Sequence, residues 1–168
     1  DRTAAGMLQQ SLEAKGLALA AILATHHHGD HVGGLEWLAA RWKCEVFGPA
    51  ALSGPPDGIA FDAFGNLWCT LVMVDRLIAL TPQGDVLELL DDGDPEASRN
   101  LMRKMADGST TPEDMLRARG TPAPWLASVT FGGLDLKTVY LGSLMGTTIP
   151  SLLSPVAGLP MIHWNETR

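Results

Sequence analysis

The stretch Thr25-His26-His27-His28-Gly29-Asp30-His31 places three kinds of chemistry side by side, because imidazole, carboxylate and glycine follow one another within seven residues. It comes after an apolar run, residues 17–24, that predicts a buried β-strand, and before Gly33-Gly34 and a helical pattern. His26 and His28 alternate at the end of an extended segment, so both rings can point the same way. Neutral imidazoles and carboxylate oxygens suit zinc and its neighbours. The stretch therefore predicts a metal site at the end of a strand; the simpler interpretation is an exposed polar loop.

Around this stretch, residues 1–49 alternate between helical and strand patterns. The expected apolar faces are Ala4, Leu8 and Leu12 on the first helix and Leu35, Leu38 and Trp42 on the second. Gly16 is expected to end the first helix. The order helix, strand, ligand loop, helix, strand predicts a βαβ-type layer. Residues 50–56 are rich in proline and glycine and have no periodicity, which predicts a linker.

Residues 57–168 have a different pattern, dominated by short strands and tight turns. Strands are predicted at residues 58–62, 67–71, 76–80 and 86–90, and a second group at 126–131, 138–141 and 148–152. Asp94-Pro95 and Thr111-Pro112 each combine an N-cap residue with a proline at the first helical position. The predicted fold class is thus mixed α and β: a βαβ-type segment followed by antiparallel β meanders with a two-helix insertion.

The spacing His26-x-His28-x-Asp30-His31, with Thr25 before it and Gly33-Gly34 after it, resembles the signature of the metallo-β-lactamase superfamily. Residues 1–49 are most similar to its hydroxyacylglutathione hydrolase (glyoxalase II) branch. The resemblance implies a first zinc ion at His26 and His28 and a second at Asp30 and His31. It also implies that a metal-bridging hydroxide attacks a thioester or ester carbonyl.

The sequence departs from that family in its supply of further ligands. A complete site there takes another histidine for each metal and a bridging aspartate from downstream strands, whereas His163 is the only histidine outside the cluster. A single zinc ion held by His26, His28 and either His31 or Asp30 satisfies the ligand count of a catalytic site. Asp30 is also a candidate general base, because a carboxylate beside the metal can take a proton from water.

The second part resembles another family. Pro56-Asp57-Gly58-Ile59-Ala60-Phe61-Asp62-Ala63-Phe64-Gly65-Asn66-Leu67-Trp68 and the segments 131–140 and 154–160 are similar to the gluconolactonase/regucalcin/luciferin-regenerating family. Its members are six-bladed β-propellers that open sugar lactones with one divalent cation. The resemblance implies that Asp57 binds the cation, calcium or another divalent metal, and lies near the lactone. By its neighbours alone, Asp57 is more typical of a turn.

Charge and composition limit the partners. A formal net charge of −7 without a cluster of Lys and Arg argues against nucleic acid and anionic membrane surfaces and favours a small-molecule substrate. Cys44 and Cys69 are expected to be buried thiols. The absence of a signal-peptide pattern and of a long apolar run predicts a cytoplasmic location. Open sheet edges favour a homo-oligomer that covers them.

Three function classes follow from these observations. The first is a metal-dependent hydrolase of ester, thioester or lactone bonds that uses the His26 to His31 cluster. The second is a lactonase with a divalent cation at Asp57. The third is a non-catalytic, chimeric domain that binds metal without turnover. The first is preferred because its ligands are local in sequence.

Overall fold

A computed structural model describes residues 2–24, 32–48 and 52–161 of the chain. The chain folds as two compact units, Asp1–Pro56 and Asp57–Arg168. Each unit has its own sheet structure, so the two are described separately.

The first unit is a small α/β layer. Its elements, in chain order, are α1 (Arg2–Ala14), β1 (Ala21–Leu23), α2 (Leu35–Trp42) and β2 (Glu45–Phe47). Strands β1 and β2 are parallel, with Ala21 opposite Glu45 and Leu23 opposite Phe47. Because parallel neighbours need a crossover, and α2 is that crossover, the predicted βαβ-type layer is confirmed.

Packing in this unit follows the predicted pattern on α2 but not on α1. Leu38 is buried, as expected. On α1 the buried residue is Ala5, whereas Leu8 is 46% exposed, so the inward face is rotated by one residue from the prediction. The predicted end at Gly16 is confirmed, since α1 finishes at Ala14 and Gly16 has a φ of 66° that only glycine adopts easily.

Strand β1 is shorter than the apolar run that predicted it. Residues 17–20 precede the strand without joining it, and Leu17 is 53% exposed. The partner strand β2 has only three residues, so within the described part of the chain it offers residues 17–20 no ladder to join. Strand length is thus set by the partner and not by the apolar run alone.

The second unit contains two antiparallel sheets, and within the described residues neither closes into a barrel. Its strands are β3 (Pro56–Phe61), β4 (Leu67–Leu71), β5 (Arg76–Leu80), β6 (Val86–Asp91), β7 (Leu126–Gly132), β8 (Thr138–Ser143) and β9 (Ser151–Leu153). The first sheet has the order β3-β4-β5-β6 and the second the order β7-β8-β9. The predicted meanders are confirmed, although the last strand begins after Pro150 and not at residue 148, since proline cannot donate to a ladder.

The core of the second unit is shared by residues of both sheets. The rings of Trp68 on β4 and Phe131 on β7 meet edge to face, with centroids 4.9 Å apart and planes at 70°. The buried residues of this core cluster are Trp68, Leu77, Ala79, Ala123, Leu126, Val129, Phe131, Val139 and Leu141. Val129 and Phe131 on β7 and Val139 and Leu141 on β8 point into this cluster with the period of two of a strand, and Leu126 joins them across a register shift in β7.

Two helices interrupt the strands between β6 and β7, as predicted. Helix α3 (Pro95–Asp107) is capped by Asp94, whose side chain accepts a hydrogen bond from the Ala97 amide at 2.6 Å. Helix α4 (Pro112–Arg117) begins with a capping box in which Thr111 and Asp114 bond to each other's backbone amides.

No helix in the described ranges is long and apolar enough to cross a membrane.

Acidification should weaken this helical insertion through Asp114. Lys104 Nζ contacts both oxygens of Asp114 at 2.7 and 2.8 Å, and Thr111 adds further hydrogen bonds. Together these contacts lower the pKa of Asp114 from 3.8 to about 2. The stabilisation is therefore complete above the unfolded-state value near pH 4 and is lost as the pH falls toward about 2.

We expect thermal unfolding of Asp114→Asn to depend less on pH between about 4 and about 2 than that of the wild type. Glu113→Gln, at the exposed neighbouring position, is the control and should follow the wild type. Identical pH profiles for wild type and Asp114→Asn would show that the carboxylate does not couple proton binding to folding.

Candidate metal centre and active site

The segment that holds the predicted ligands joins two well-defined ends of the first unit. His26, His28, Asp30 and His31 lie outside the described residues. Before them, Ala24 is buried and its amide donates to the Phe47 carbonyl at 2.7 Å, which extends the pairing of β1 with β2 by one residue. After them, α2 begins at Leu35, with the Leu38 amide donating to the Gly34 carbonyl at 3.0 Å.

The position of segment 25–31 in the chain, between β1 and α2, bears on its ability to bind a metal. The segment 25–31 leaves the carboxyl end of a parallel strand and leads to the start of the crossover helix. In α/β layers, ligands bind outside the carboxyl ends of parallel strands, where loops from neighbouring strands converge. The frame around the predicted metal ligands is therefore of the kind that presents a site, although the ligand positions themselves remain a prediction.

Asp57, the other predicted site residue, lies in β3 and not in a turn. Its side chain is exposed, and no hydrogen bond or ion pair to its carboxylate is found among the described residues. The neighbouring Gly58 amide donates to Thr70 Oγ1 at 2.8 Å, which fixes this end of the strand. The turn interpretation is wrong because residues 56–61 form the edge strand of the first sheet; the metal role of Asp57 remains a prediction.

Cys69 lies near Asp57, on the neighbouring strand β4, and is unsuited to act as a nucleophile. Its side chain is fully buried, and its thiol donates to the Thr70 carbonyl at 3.4 Å. Burial raises the pKa of Cys69 to about 11, with a smaller opposing contribution from the Asp57 amide and a further increase from the Asp57 charge. Because the thiolate is the reactive form, this cysteine is inert at neutral pH. Both cysteines are free, as expected, but Cys44 is only half-buried.

Within residues 2–24, 32–48 and 52–161, no group of three or more His, Cys, Asp or Glu side chains is arranged to hold a metal ion. The acidic run before α3 illustrates why. Asp91 pairs with Arg76 at 2.9 Å, Asp92 accepts from the Thr121 amide, and Asp94 caps α3. Each carboxylate has a separate structural partner, so the run is not a calcium loop.

The sequence did not single out Asp62, whose buried carboxylate accepts four hydrogen bonds. It accepts from the amides of Phe64 and Asn66 at 2.9 and 3.0 Å, from Asn66 Nδ2 at 2.8 Å and from Trp68 Nε1 at 3.1 Å. Burial by itself raises its pKa, but these hydrogen bonds outweigh burial and hold the pKa below 3.8. The position before the Gly65-Asn66 turn was the signal that could have identified it. Its role is structural, since every donor belongs to its own turn and the next strand.

The N-terminal part of the chain is similar to hydroxyacylglutathione hydrolases. It is 51% identical over 43 residues to the enzyme of Thiobacillus denitrificans, a match that covers 26% of this chain and 17% of that protein. With the enzyme of Dechloromonas aromatica it shares 60% identity over 38 residues, which is 23% of this chain and 14% of the relative. The matches thus span less than a fifth of the length of these curated relatives.

Two solved structures are similar to the chain at a lower level. A putative gluconolactonase matches with 25% identity and a TM-score of 0.38, covering 63% of this chain and 25% of the other. A luciferin-regenerating enzyme matches with 21% identity and a TM-score of 0.38, covering 63% of this chain and 30% of the other. TM-scores this low do not establish a common fold.

The family comparison covers far more of the sequence. The model of the metallo-beta-lactamase superfamily matches residues 2–165, which is nearly the whole length. The expected resemblance at the His26 to His31 signature agrees with this match. The chain belongs to the metallo-beta-lactamase superfamily.

Proposed function

We propose that this chain is a metal-dependent hydrolase that cleaves ester or thioester bonds with a metal held by the His26 to His31 cluster. The observation that carries the proposal is the parallel pairing of β1 and β2, with Ala24 fixed at its carboxyl end. The cluster begins two residues beyond this anchor in sequence, where α/β layers bind their ligands. Membership of the superfamily supports the same reaction class.

The donor set fits zinc. His26, His28 and His31 offer imidazole nitrogens and Asp30 a carboxylate, and three protein ligands with one open position are the requirement of a catalytic zinc site. When bound, the metal would polarise the substrate carbonyl and lower the pKa of a bound water. Asp30 would serve as a ligand or as the base that accepts a proton from that water. His27 is not assigned a ligand role, because on an extended segment it would lie on the face opposite its neighbours.

The names of the relatives support a thioester as the substrate class. The curated proteins that match the N-terminal part are named hydroxyacylglutathione hydrolases, so a small thioester is the first substrate to test. The net charge of −7 also favours a small molecule over a polyanion. With one ion and no second pair of histidines, we expect weak and broad hydrolysis.

Asp57 supports a second candidate, a lactonase with calcium or another divalent cation. Within the described chain its carboxylate is exposed and lacks a partner, unlike those of Asp62, Asp75, Asp92 and Asp114, which accept hydrogen bonds.

We propose further that the two sheets of the second unit are blades of the propeller kind. Among the described residues, β6 and β9 each end a sheet, and such edges favour coverage by a second copy of the chain.

An assay panel separates these functions. The substrates are a nitrophenyl ester, a glutathione thioester, a sugar lactone and a β-lactam, each tested with wild type, Asp30→Ala and Asp57→Ala. We expect thioester or ester turnover in the wild type that chelator removes, and a loss of about 100-fold or more in Asp30→Ala. Asp57→Ala is the matched carboxylate control and should retain the activity.

Two results would change the assignment. Lactone turnover that survives Asp30→Ala but not Asp57→Ala would establish the second candidate in place of the first. No turnover of any substrate by protein that carries stoichiometric metal would favour the non-catalytic metal-binding function.

A further inference from the structure

The helical insertion of the second unit makes few contacts with the strands of either sheet. We call residues 93–119 the helical strap. It contains α3 and α4, which pack mainly on each other. None of its residues belongs to the buried cluster centred on Trp68 and Phe131. Its own fully buried apolar side chains are Leu101 and Ala118.

Polar contacts between the helical strap and the sheets are equally few. Among the described residues, one hydrogen bond joins them, from Trp125 Nε1 to the Met115 carbonyl at a long 3.4 Å. Inside the helical strap, by contrast, Lys104 binds both oxygens of Asp114 and ties α3 to α4. Ser98 Oγ and Thr110 Oγ1 are buried without a described partner, so opening would allow both hydroxyls to bind water.

The neck of the helical strap is closed by two carboxylates. Asp75, fully buried in the β4–β5 turn, accepts from the Gly120 amide at 2.6 Å and from the Leu126 amide at 2.7 Å. Asp92 accepts from the Thr121 amide at 2.7 Å, and its own amide donates to the Asp75 carbonyl at 3.1 Å. These hydrogen bonds therefore hold the chain that leaves β6 close to the chain that leads into β7, next to the β4–β5 turn.

Two glycines make this closure sterically tight. A Cβ atom at Gly120 would collide with the Asp92 carboxylate. One at Gly93 would collide with the Val74 carbonyl and lie 3.0 Å from the Ala118 carbonyl. The two ends of the helical strap are thus closely packed against each other and against the β4–β5 turn.

We propose that the helical strap opens as one unit while both sheets stay folded, because Asp75 and Asp92 keep its neck closed. Regions with few buried apolar contacts open locally at a lower free energy than the whole domain. The ion pair between α3 and α4 makes the two helices open together. The carboxylates of the neck carry the sheet-to-sheet connection during that opening.

Limited trypsin digestion under native conditions, with each cut quantified by mass spectrometry, tests this device. The helical strap offers Arg99, Arg103, Lys104, Arg117 and Arg119, and the sheets offer Arg76 on β5; Lys137 lies in the exposed turn between β7 and β8 and does not report on the sheets. In the wild type, we expect cleavage in the helical strap first, with the nicked chain retaining its sheet circular dichroism. Leu101→Ala should raise cleavage in the helical strap by roughly tenfold or more, since it empties its largest buried site.

The controls make the test decisive. Leu116→Ala, at a 41% exposed position of the same helical strap, should leave all rates unchanged. Asp75→Asn should have the opposite selectivity to Leu101→Ala and raise cleavage at Arg76, on β5. Equal acceleration at helical-strap and sheet sites by Leu101→Ala, or failure of that variant to fold, would show one cooperative unit and overturn the proposal.

Discussion

Replacing Asp62 with alanine should lower the free energy of unfolding of the second unit by about 3–5 kcal/mol. The carboxylate is 1% exposed and accepts four hydrogen bonds, from two amides, one carboxamide and one indole. Alanine would leave these donors without an acceptor in a site that water does not reach freely. Urea unfolding followed by circular dichroism measures the change, provided that the slope with denaturant stays constant.

Asp135 provides the matched control. It lies in the corresponding turn of the second sheet, between β7 and β8, but it is exposed and accepts one hydrogen bond, from the Lys137 amide at 3.1 Å. Asp135→Ala should therefore shift the unfolding midpoint only slightly. Equal destabilisation by both substitutions would mean that turn geometry, and not the buried network, sets the cost at Asp62.

The local features of this fold could be predicted from sequence because their causes lie within a few residues. Asp94-Pro95 and Thr111-Pro112 start helices α3 and α4 by capping amides three residues away. The strands β3 to β6 follow from short runs rich in apolar residues that are separated by tight turns. These local patterns predict the structure correctly because each depends only on residues that are close in the sequence.

Features that depend on distant partners could not be predicted in the same way. Asp75 binds amides 45 and 51 residues further along the chain, and nothing in its neighbourhood indicates those donors. The spacing of Ala4, Leu8 and Leu12 predicted the inward face of α1, but the buried residue is Ala5, on a helix that packs mainly against α2. The geometry of distant packing and hydrogen-bonding partners thus decides these features, even where the local sequence pattern favours another arrangement.

The candidate site was predicted from the spacing of its residues alone. That spacing is informative because the proposed metal ligands are close together in the sequence. Two imidazoles at alternate positions after a strand can share one metal without help from the rest of the fold. The structure adds the frame, with Ala24 tied to β2 and α2 starting at Leu35. A third or fourth ligand from elsewhere is a tertiary property, which is why the role of His163 did not follow from its position.

His28→Ala should remove bound zinc almost completely, whereas His27→Ala should retain it. Loss of a direct ligand weakens binding by more than the roughly 10–100-fold that is typical of residues outside the first coordination sphere. On an extended segment, His28 would share a face with His26, and His27 would lie on the other face. Metal content per chain, measured on protein purified without a histidine tag, gives the result directly.

The same measurement on two more variants locates the rest of the site. His163→Ala should keep its zinc if the cluster supplies all the ligands, and Asp30→Ala should lose zinc if the carboxylate is a ligand but keep it if it acts only as a base. Equal zinc content in His27→Ala and His28→Ala would contradict the alternating geometry. The match with the superfamily model would then describe the ancestry of this segment without its metal chemistry, because a site that tolerates the loss of His28 cannot be built on that imidazole.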